Sequence, residues 1–365
     1  SDLPYRDGEG AGLAHSTGHC GSFGEGGGQI LRTSLALSAL TDQPIHLQHI
    51  RANRSQPGLR PQHLTAVLAA AKITRATLQG ASKGSREITF EPSGLFPGKF
   101  NFVIPTAGAV SLVLQTISLP LSFAGSRSKV TLTGGTHVRW SPIFHYILEQ
   151  WLPWMHQRNF RAHLELQHAG FYPRGGGSVT ANILPCNDLQ PFTCLDRGAL
   201  VRIRGLSGVA NLEKSIAKRQ KHQALKRLYE VCPDSKIQEI NLPAPGKGTF
   251  ILLRAEFEHC GTACYTALGA PGKPAERVAD EAVNKLLTFL ATDATVDHYL
   301  ADQILLPLAV IKGASSFRTN KVTQHLLTNA FVIKRFLPVK IDIEGELDQP
   351  GLVRVTGQSL NVPVG

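Results

Sequence analysis

The chain has 365 residues, 42% of them hydrophobic and 18% charged, enough to bury the core of one large domain or two. Its net charge of +11 and pI of about 9.5 favour a polyanionic partner such as nucleic acid. No apolar run is long enough to span a bilayer, Ile304 to Ile311 being about the longest, and the polar, glycine-rich N-terminal stretch has no signal-type apolar segment.

Residues 1 to 23 read as a loose arm with one short strand, His15 to Cys20. Gly24-Glu25-Gly26-Gly27-Gly28-Gln29-Ile30-Leu31-Arg32 then runs into an apolar helix through Leu40. Glycines before a helix let backbone approach a phosphate. The stretch is no Walker A loop, because no Lys-Ser/Thr follows the glycines, and no apolar strand precedes it as a dinucleotide fingerprint requires. A tight turn into a core helix explains it as simply. Pro44 to Ile50 alternates like a strand and leads to Arg51-Ala52-Asn53-Arg54, a candidate phosphate clamp or a solvated loop. Pro61 suits the first position of a second helix.

An internal repeat follows. Gln62-His63-Leu64 and Gln324-His325-Leu326 are the same tripeptide at two helix starts, each downstream of an apolar helix. A third copy runs from Ala107-Gly108-Ala109 through a helix to Leu119, a strand at Lys129 to Thr133, Gly134-Gly135-Thr136, and a helix opened by Ser141-Pro142. The predicted unit is helix, strand, turn, helix, strand. Gly170-Phe171-Tyr172-Pro173-Arg174-Gly175-Gly176-Gly177 suits a loop near an anion, a hairpin turn, or both.

Residues from about Pro185 to Lys273 break the repeat. They predict a small inserted α/β domain: strand Ala199 to Leu206, helix Asn211 to Val231, and strands Lys236 to Asn241, Thr249 to Phe257 and Cys264 to Leu268. Its helix carries Lys214, Lys218, Arg219, Lys221, Lys226 and Arg227, a solvated face or an RNA contact. The third unit resumes with a helix at Ala275 to Leu290, which gives domains at 1–184, 185–273 and 274–365. Five of the six cysteines lie between Cys186 and Cys264 without paired metal spacing. Cys260 and Cys264 are read as two ordinary thiols before a bridge or half a metal site, and the whole fits a reducing cytoplasm.

Lys321 to Asn329, KVTQHLLTN, opens the last helix, with apolar residues at Leu326, Leu327, Ala330, Phe331, Ile333 and Phe336 and a stop at Pro338. With Thr323 as N-cap, His325 stands in the first turn, where N–H groups are unpaired and the dipole is positive. That setting lowers an imidazole pKa, keeps a lone pair available near neutral pH, and attracts phosphate. A neutral imidazole beside a phosphate can attack phosphorus. The plainer reading is a helix-start histidine bonded to its own backbone.

The segments GSFGEGGGQILR, IRANRSQPGLRPQHLTAV, GFYPRGGG, YLADQILLPLA and QHLLTNAFVIKRFLP, in this order and spacing, resemble the RNA 3′-terminal phosphate cyclases from Gly21 to about Lys340. The resemblance implies an α/β fold of three repeated units, like the C-terminal domain of a translation initiation factor, plus a small α/β insert. It implies ATP as cosubstrate, a divalent metal (Mg or Mn), and RNA with a 3′-phosphate end as partner, with no membrane. In such enzymes a histidine attacks the α-phosphate of ATP, AMP passes to the RNA 3′-phosphate, and the neighbouring 2′-OH displaces AMP to leave a 2′,3′-cyclic phosphate. The match places the nucleophile at His325 and the metal carboxylate at Glu25. Arg32, Arg51, Arg54, Gln62 and Gln115 match ligands of ATP phosphates or the RNA end. Tyr299, Asp302 and Gln303 match the adenosine pocket, with Pro142 as its opposite wall, and His63 matches a supportive histidine. The departures are the His15 to Cys20 strand and His137-Val138-Arg139, where family members often carry Asp and no Arg. The competing expectations are a non-cyclising relative acting in ribosome assembly, a carboxyvinyl transferase, and an RNA-binding module without catalysis. Oligomeric state is left open.

Overall fold

The computed structural model describes residues 17–20, 27–186, 188–360 and 362. The first repeat runs β1 (Thr17–Cys20), α1 (Gly28–Thr41), β2 (Ile45–Gln48), α2 (Pro61–Thr74), β3 (Thr77–Gln79) and β4 (Ile88–Glu91). The second runs β5 (Lys99–Val103), α3 (Val110–Ser122), β6 (Ser128–Gly134), α4 (Phe144–Tyr146), a π-helical turn (Ile147–Trp151), α5 (Leu152–His156), β7 (Ala162–His168) and β8 (Gly177–Ile183). The third opens with β9 (Thr193–Cys194) and is then interrupted by β10 (Leu200–Ala210), α6 (Lys214–Leu228), β11 (Lys236–Asn241), β12 (Gly248–Phe257), β13 (Thr262–Leu268) and α7 (Ala275–Leu290). It resumes with α8 (His298–Ala309), β14 (Gly313–Thr319), α9 (Gln324–Phe336), β15 (Lys340–Glu344) and β16 (Gly351–Gly357).

Each repeat builds a four-stranded sheet of the same order: β1-β2-β4-β3, β5-β6-β8-β7 and β9-β14-β16-β15. In each, the first two strands are parallel and linked through a helix, and the other pairings are antiparallel. A parallel pair needs such a crossover, whereas antiparallel neighbours close through short turns. The insert sheet, β11-β10-β12-β13, has its own apolar core. One large core joins the three repeats: α1, α3, α8 and α9 contribute Leu35, Leu37, Val113, Ile117, Ile304 and Ile333. Among the described residues no helix is long and apolar enough to cross a membrane.

The helix at Ala275–Leu290 departs from its expected place in the third repeat. Its stripe Val278, Ala282, Val283, Leu286 and Phe289 is buried with Ile251, Leu253 and Tyr265 of the insert sheet. Its outer face meets α6, where Glu276 takes two hydrogen bonds from Arg219 at 2.7 Å and Asp280 pairs with Arg227 at 3.2 Å. The helix therefore completes the insert, and the insert lies within the third repeat, between β9 and α8. An apolar stripe of helical period looks the same whichever sheet it covers, so sequence order alone predicts the next repeat for it. These ion pairs also use basic residues of α6 that sequence had left between solvent and RNA.

Cys260 pairs with Cys194, 66 residues away, and not with Cys264, which is buried and free. β13 points Cys264 inward, while the turn before it meets β9. In the GFYPRGGG stretch, a Cβ on Gly170 would stand 2.3 Å from the Gly134 carbonyl oxygen, so the loop presses directly on the end of β6. Arg174 donates to the Pro245 carbonyl at 2.6 Å, tying this turn to the insert; it does not line the cavity described next.

Candidate active site

A cavity of about 960 Å³ opens where helix starts from the three repeats converge, at the upper end of the roughly 300–1,000 Å³ usual for small-ligand sites. Arg32, Arg51, Arg54, Gln62, Gln115, Pro142, Tyr299, Asp302, Gln303 and His325 all line it. Sequence separated these residues by up to about 290 positions; the repeat brings them together. Glu25 lies outside the described residues.

His325 is the second residue of α9. Thr323 is the N-cap, as expected: its Oγ1 accepts from the Leu326 N–H at 3.0 Å and donates to Asp302 of α8. Asn329, one turn further on, donates to the Asp302 carbonyl at 2.8 Å. Its side-chain oxygen accepts from Gln29 at 2.8 Å and Thr33 at 2.7 Å, both of α1. Gln29 in turn accepts from Arg32 at 2.8 Å. One hydrogen-bonded chain thus fixes the starts of α1, α8 and α9 relative to one another. Such support holds a reacting group to a narrow range of positions.

The first repeat supplies the cationic wall. Arg51 has a left-handed backbone, φ +55°, and donates to the carbonyls of Gln56 and Gly58 at 2.7 and 3.0 Å. Burial, then Arg60 and Arg54, lower its pKa. Burial pushes Arg32 down to about 10. His63 is 6% exposed, and burial together with Arg32, Arg51 and Arg60 pushes its imidazole down to about 3. Among the described residues its buried Nδ1 has no hydrogen-bond partner. A Cβ on Gly28 would lie 2.4 Å from His63 Nε2 and 2.8 Å from an Arg32 nitrogen, so only glycine lets the start of α1 come this close. A neutral histidine among crowded cations, under an open helix N-terminus, is electrostatically suited to an anion.

The opposite side is aromatic and mixed in charge. Tyr299 packs in a cluster with Tyr146, Tyr265 and His298, and burial followed by Asp297, Glu281 and Asp302 raises its phenol pKa. Beneath it Asp297 caps α8 through the Leu300 N–H at 3.0 Å. The same carboxylate accepts from Tyr146 at 2.9 Å, Gln150 at 2.8 Å and the Cys264 N–H at 3.2 Å. Second repeat, insert and third repeat meet on this one group, whose pKa burial raises to about 6 despite its four donors. Gln115 donates to Gln303, which donates to the Tyr299 carbonyl at 2.7 Å.

Sequence reasoning missed several lining residues. The insert contributes Thr266, Ala267, Leu268, Lys273, Glu281 and Lys285, with Glu281 bridging both lysines. No motif marks them, because their place depends on how the insert docks. Gln29, which lines the cavity, and Asn329, which holds it from behind, both stand inside matched segments, where their spacing alone gives them no role. Arg139 and Trp140 also border the cavity. Among the described residues no three His, Cys, Asp or Glu side chains converge as a metal cage.

The sequence profile of RNA 3′-terminal phosphate cyclase matches residues 23–343. The chain is 42% identical over 336 residues to the RNA 3′-terminal phosphate cyclase of Ralstonia nicotianae, covering 92% of this chain and 95% of that one. It is 40% identical over 325 residues to the enzyme of that name from Pyrobaculum neutrophilum, at 89% and 94% coverage. Against the one from Methanopyrus kandleri it is 40% identical over 341 residues, at 92% and 97% coverage. With the profile and these relatives spanning nearly its whole length, the chain belongs to the RNA 3′-terminal phosphate cyclase family.

Proposed function

We propose that this protein converts the 3′-terminal phosphate of RNA to a 2′,3′-cyclic phosphate using ATP, with His325 as the carrier of AMP. The observation that carries the reading is the position of His325: first turn of a capped helix, partly exposed, lining the same cavity as Arg32, Arg51, Arg54 and neutral His63.

The proposed chemistry has three displacements at phosphorus. An imidazole nitrogen of His325 attacks the α-phosphorus of ATP; a P–N bond forms and the P–O bond to pyrophosphate breaks. Imidazole is a good nucleophile when neutral and a good leaving group when protonated. An oxygen of the RNA 3′-phosphate then attacks the same phosphorus and releases His325. The 2′-OH finally attacks the 3′-phosphorus, loses its proton, and expels AMP. That oxygen is already held beside its target by the ribose, and such proximity lowers barriers by roughly 7–11 kcal/mol in well-oriented cases.

The arginine wall supports anion binding before and after each step, and Tyr299 with Pro142 offers two apolar walls for an adenine ring. Glu25 is the proposed metal ligand. A hard divalent cation on a nucleotide takes one or two protein carboxylates and the rest of its oxygens from phosphate and water, so a single glutamate suffices in chemical kind. When bound, such a metal (Mg or Mn) neutralises charge on phosphate oxygens.

Incubation with α-labelled ATP and a divalent metal tests the reading. The protein should take up label in an acid-labile, alkali-stable linkage, and His325→Ala should take up none. Labelled His325→Ala sinks the assignment. A non-cyclising relative acting in ribosome assembly would take up no label in the parent protein.

A further inference from the structure

The loop between β6 and α4 carries Trp140, which the three displacements leave unused. Its side chain is 96% exposed, while Trp151 and Trp154, the only other tryptophans, are 4% and 5% exposed. Its backbone is left-handed, φ +65°, a conformation that strains a residue bearing a bulky Cβ substituent. Exposure of a whole indole and backbone strain are both unfavourable, and they meet at one residue on the border of the cavity.

The base of the loop is packed. Val138 and Ile143 on either side are buried, and Ser141 Oγ donates back to the Val138 carbonyl at 3.3 Å. Beneath the loop, His137 is held between Thr136 at 2.7 Å and His145 at 2.8 Å, packed on Phe171 and Phe250. Only Arg139 and Trp140 stand out from this base, side by side and exposed. A loop whose base is already packed gives up little backbone freedom on contact with a ligand.

Position selects the ligand. A mononucleotide is accommodated within the cavity, against the Tyr299 and Pro142 walls proposed above. A polynucleotide whose 3′ end enters the cavity must leave through its mouth, and the exposed Arg139-Trp140 pair borders that mouth. A cation beside an aromatic face is the pairing that receives single-stranded nucleic acid, phosphate on one and base on the other. The geometry points to Trp140 as a stacking platform for a nucleobase of the RNA's 3′-terminal segment, with Arg139 meeting the adjoining backbone phosphate. Stacking accepts every base, so the platform senses that a base is present and not which one. The inference rests on the RNA-directed reading of the site.

Because the other tryptophans are buried, acrylamide quenching of tryptophan fluorescence reports Trp140 selectively. A 3′-phosphorylated oligoribonucleotide should protect it. The same oligonucleotide made abasic at its last few nucleotides, with every phosphate kept, should protect it far less, and so should ATP alone. Trp140→Ala should raise the Kd for the intact oligonucleotide about tenfold, and Trp140→Phe, which keeps a ring, should recover most of that loss. Equal protection by the abasic oligonucleotide or by ATP overturns the proposal, as does failure of the intact one to protect. Label from α-labelled ATP is followed in the same samples. Labelled protein with unprotected Trp140 defeats the platform alone; unlabelled protein defeats the AMP-carrier reading beneath it.

Discussion

His63 and His325 occupy the same tripeptide, Gln-His-Leu, at corresponding helix starts of the first and third repeats. Their surroundings differ in every respect that matters for chemistry. α2 begins at Pro61 behind Arg60, with no side-chain cap, and its histidine is buried under Gly28 among arginines. α9 begins behind Thr323, whose hydroxyl caps the helix and is itself held by Asp302, and its histidine is only partly buried. An attacking nitrogen must reach phosphorus, so it needs room in front of it. A supporting imidazole needs only to stay neutral and in place. One sequence signature placed in two environments therefore yields two expected roles, and environment, more than motif, assigns them.

The sharpest way to break this comparison is to remove each histidine in turn. His325→Ala should abolish AMP transfer, a loss of at least about 10⁴-fold in turnover, as for other covalent nucleophiles. His63→Ala should keep the adduct and slow its formation by roughly 10²-fold, the usual cost of one electrostatic support. Single-turnover labelling separates the two; comparable residual rates would erase the distinction.

Titration sharpens the His63 side. Its pKa of about 3 is set by burial and by neighbouring cations, so an anion placed among those cations favours the protonated form. Inorganic pyrophosphate should move the His63 ring pKa upward in an NMR titration, and an unmoved pKa would place the anion elsewhere. His63, His145 and His298 all have folded pKa values of about 3 to 4, below the unfolded value of about 6.5. The unfolded chain therefore binds more protons as acid is added. Their contribution is fully present above about pH 6.5 and is lost as pH falls toward about 4. The urea midpoint should fall between pH 7 and pH 5, and His145→Gln should shallow the fall. Equal midpoints at both pH values would contradict the buried, neutral state of these rings.

The smallest expected effect concerns the caps. Thr323→Ala removes the bond to Leu326 together with the one to Asp302 and should cost about 1–2 kcal/mol of stability. Arg60→Ala, at a cap with no side-chain bond, should stay within about 0.5 kcal/mol. Urea denaturation of both variants reads the difference.

Much of this was legible in the sequence because repetition leaves local marks. The two Gln-His-Leu copies, Thr323 before His325, and Pro61 at a helix start are all short-range signals, and each sits where its spacing predicts. What sequence hid depends on packing between distant segments. The stripe of α7 carries no address, so sequence predicts Ala275–Leu290 for the third repeat although it covers the insert. β9 is so short that the third repeat seemed to start after the insert. The spacing of Cys260 points only to its neighbour Cys264, whereas its partner, Cys194, lies 66 residues away. Lys273, Glu281 and Lys285 reach the cavity only because the insert docks beside it. Trp140 had no periodic context to explain it, and its exposure emerges only in three dimensions.

Mapping the covalent AMP adduct is the most direct test of the central claim. The protein would be incubated with ATP and metal, digested at alkaline pH to preserve a P–N bond, and its peptides weighed. The account predicts one AMP per chain, on the peptide containing His325, absent from His325→Ala and retained in His63→Ala. An adduct on His63 or any other residue, or no adduct in the parent protein, would contradict it.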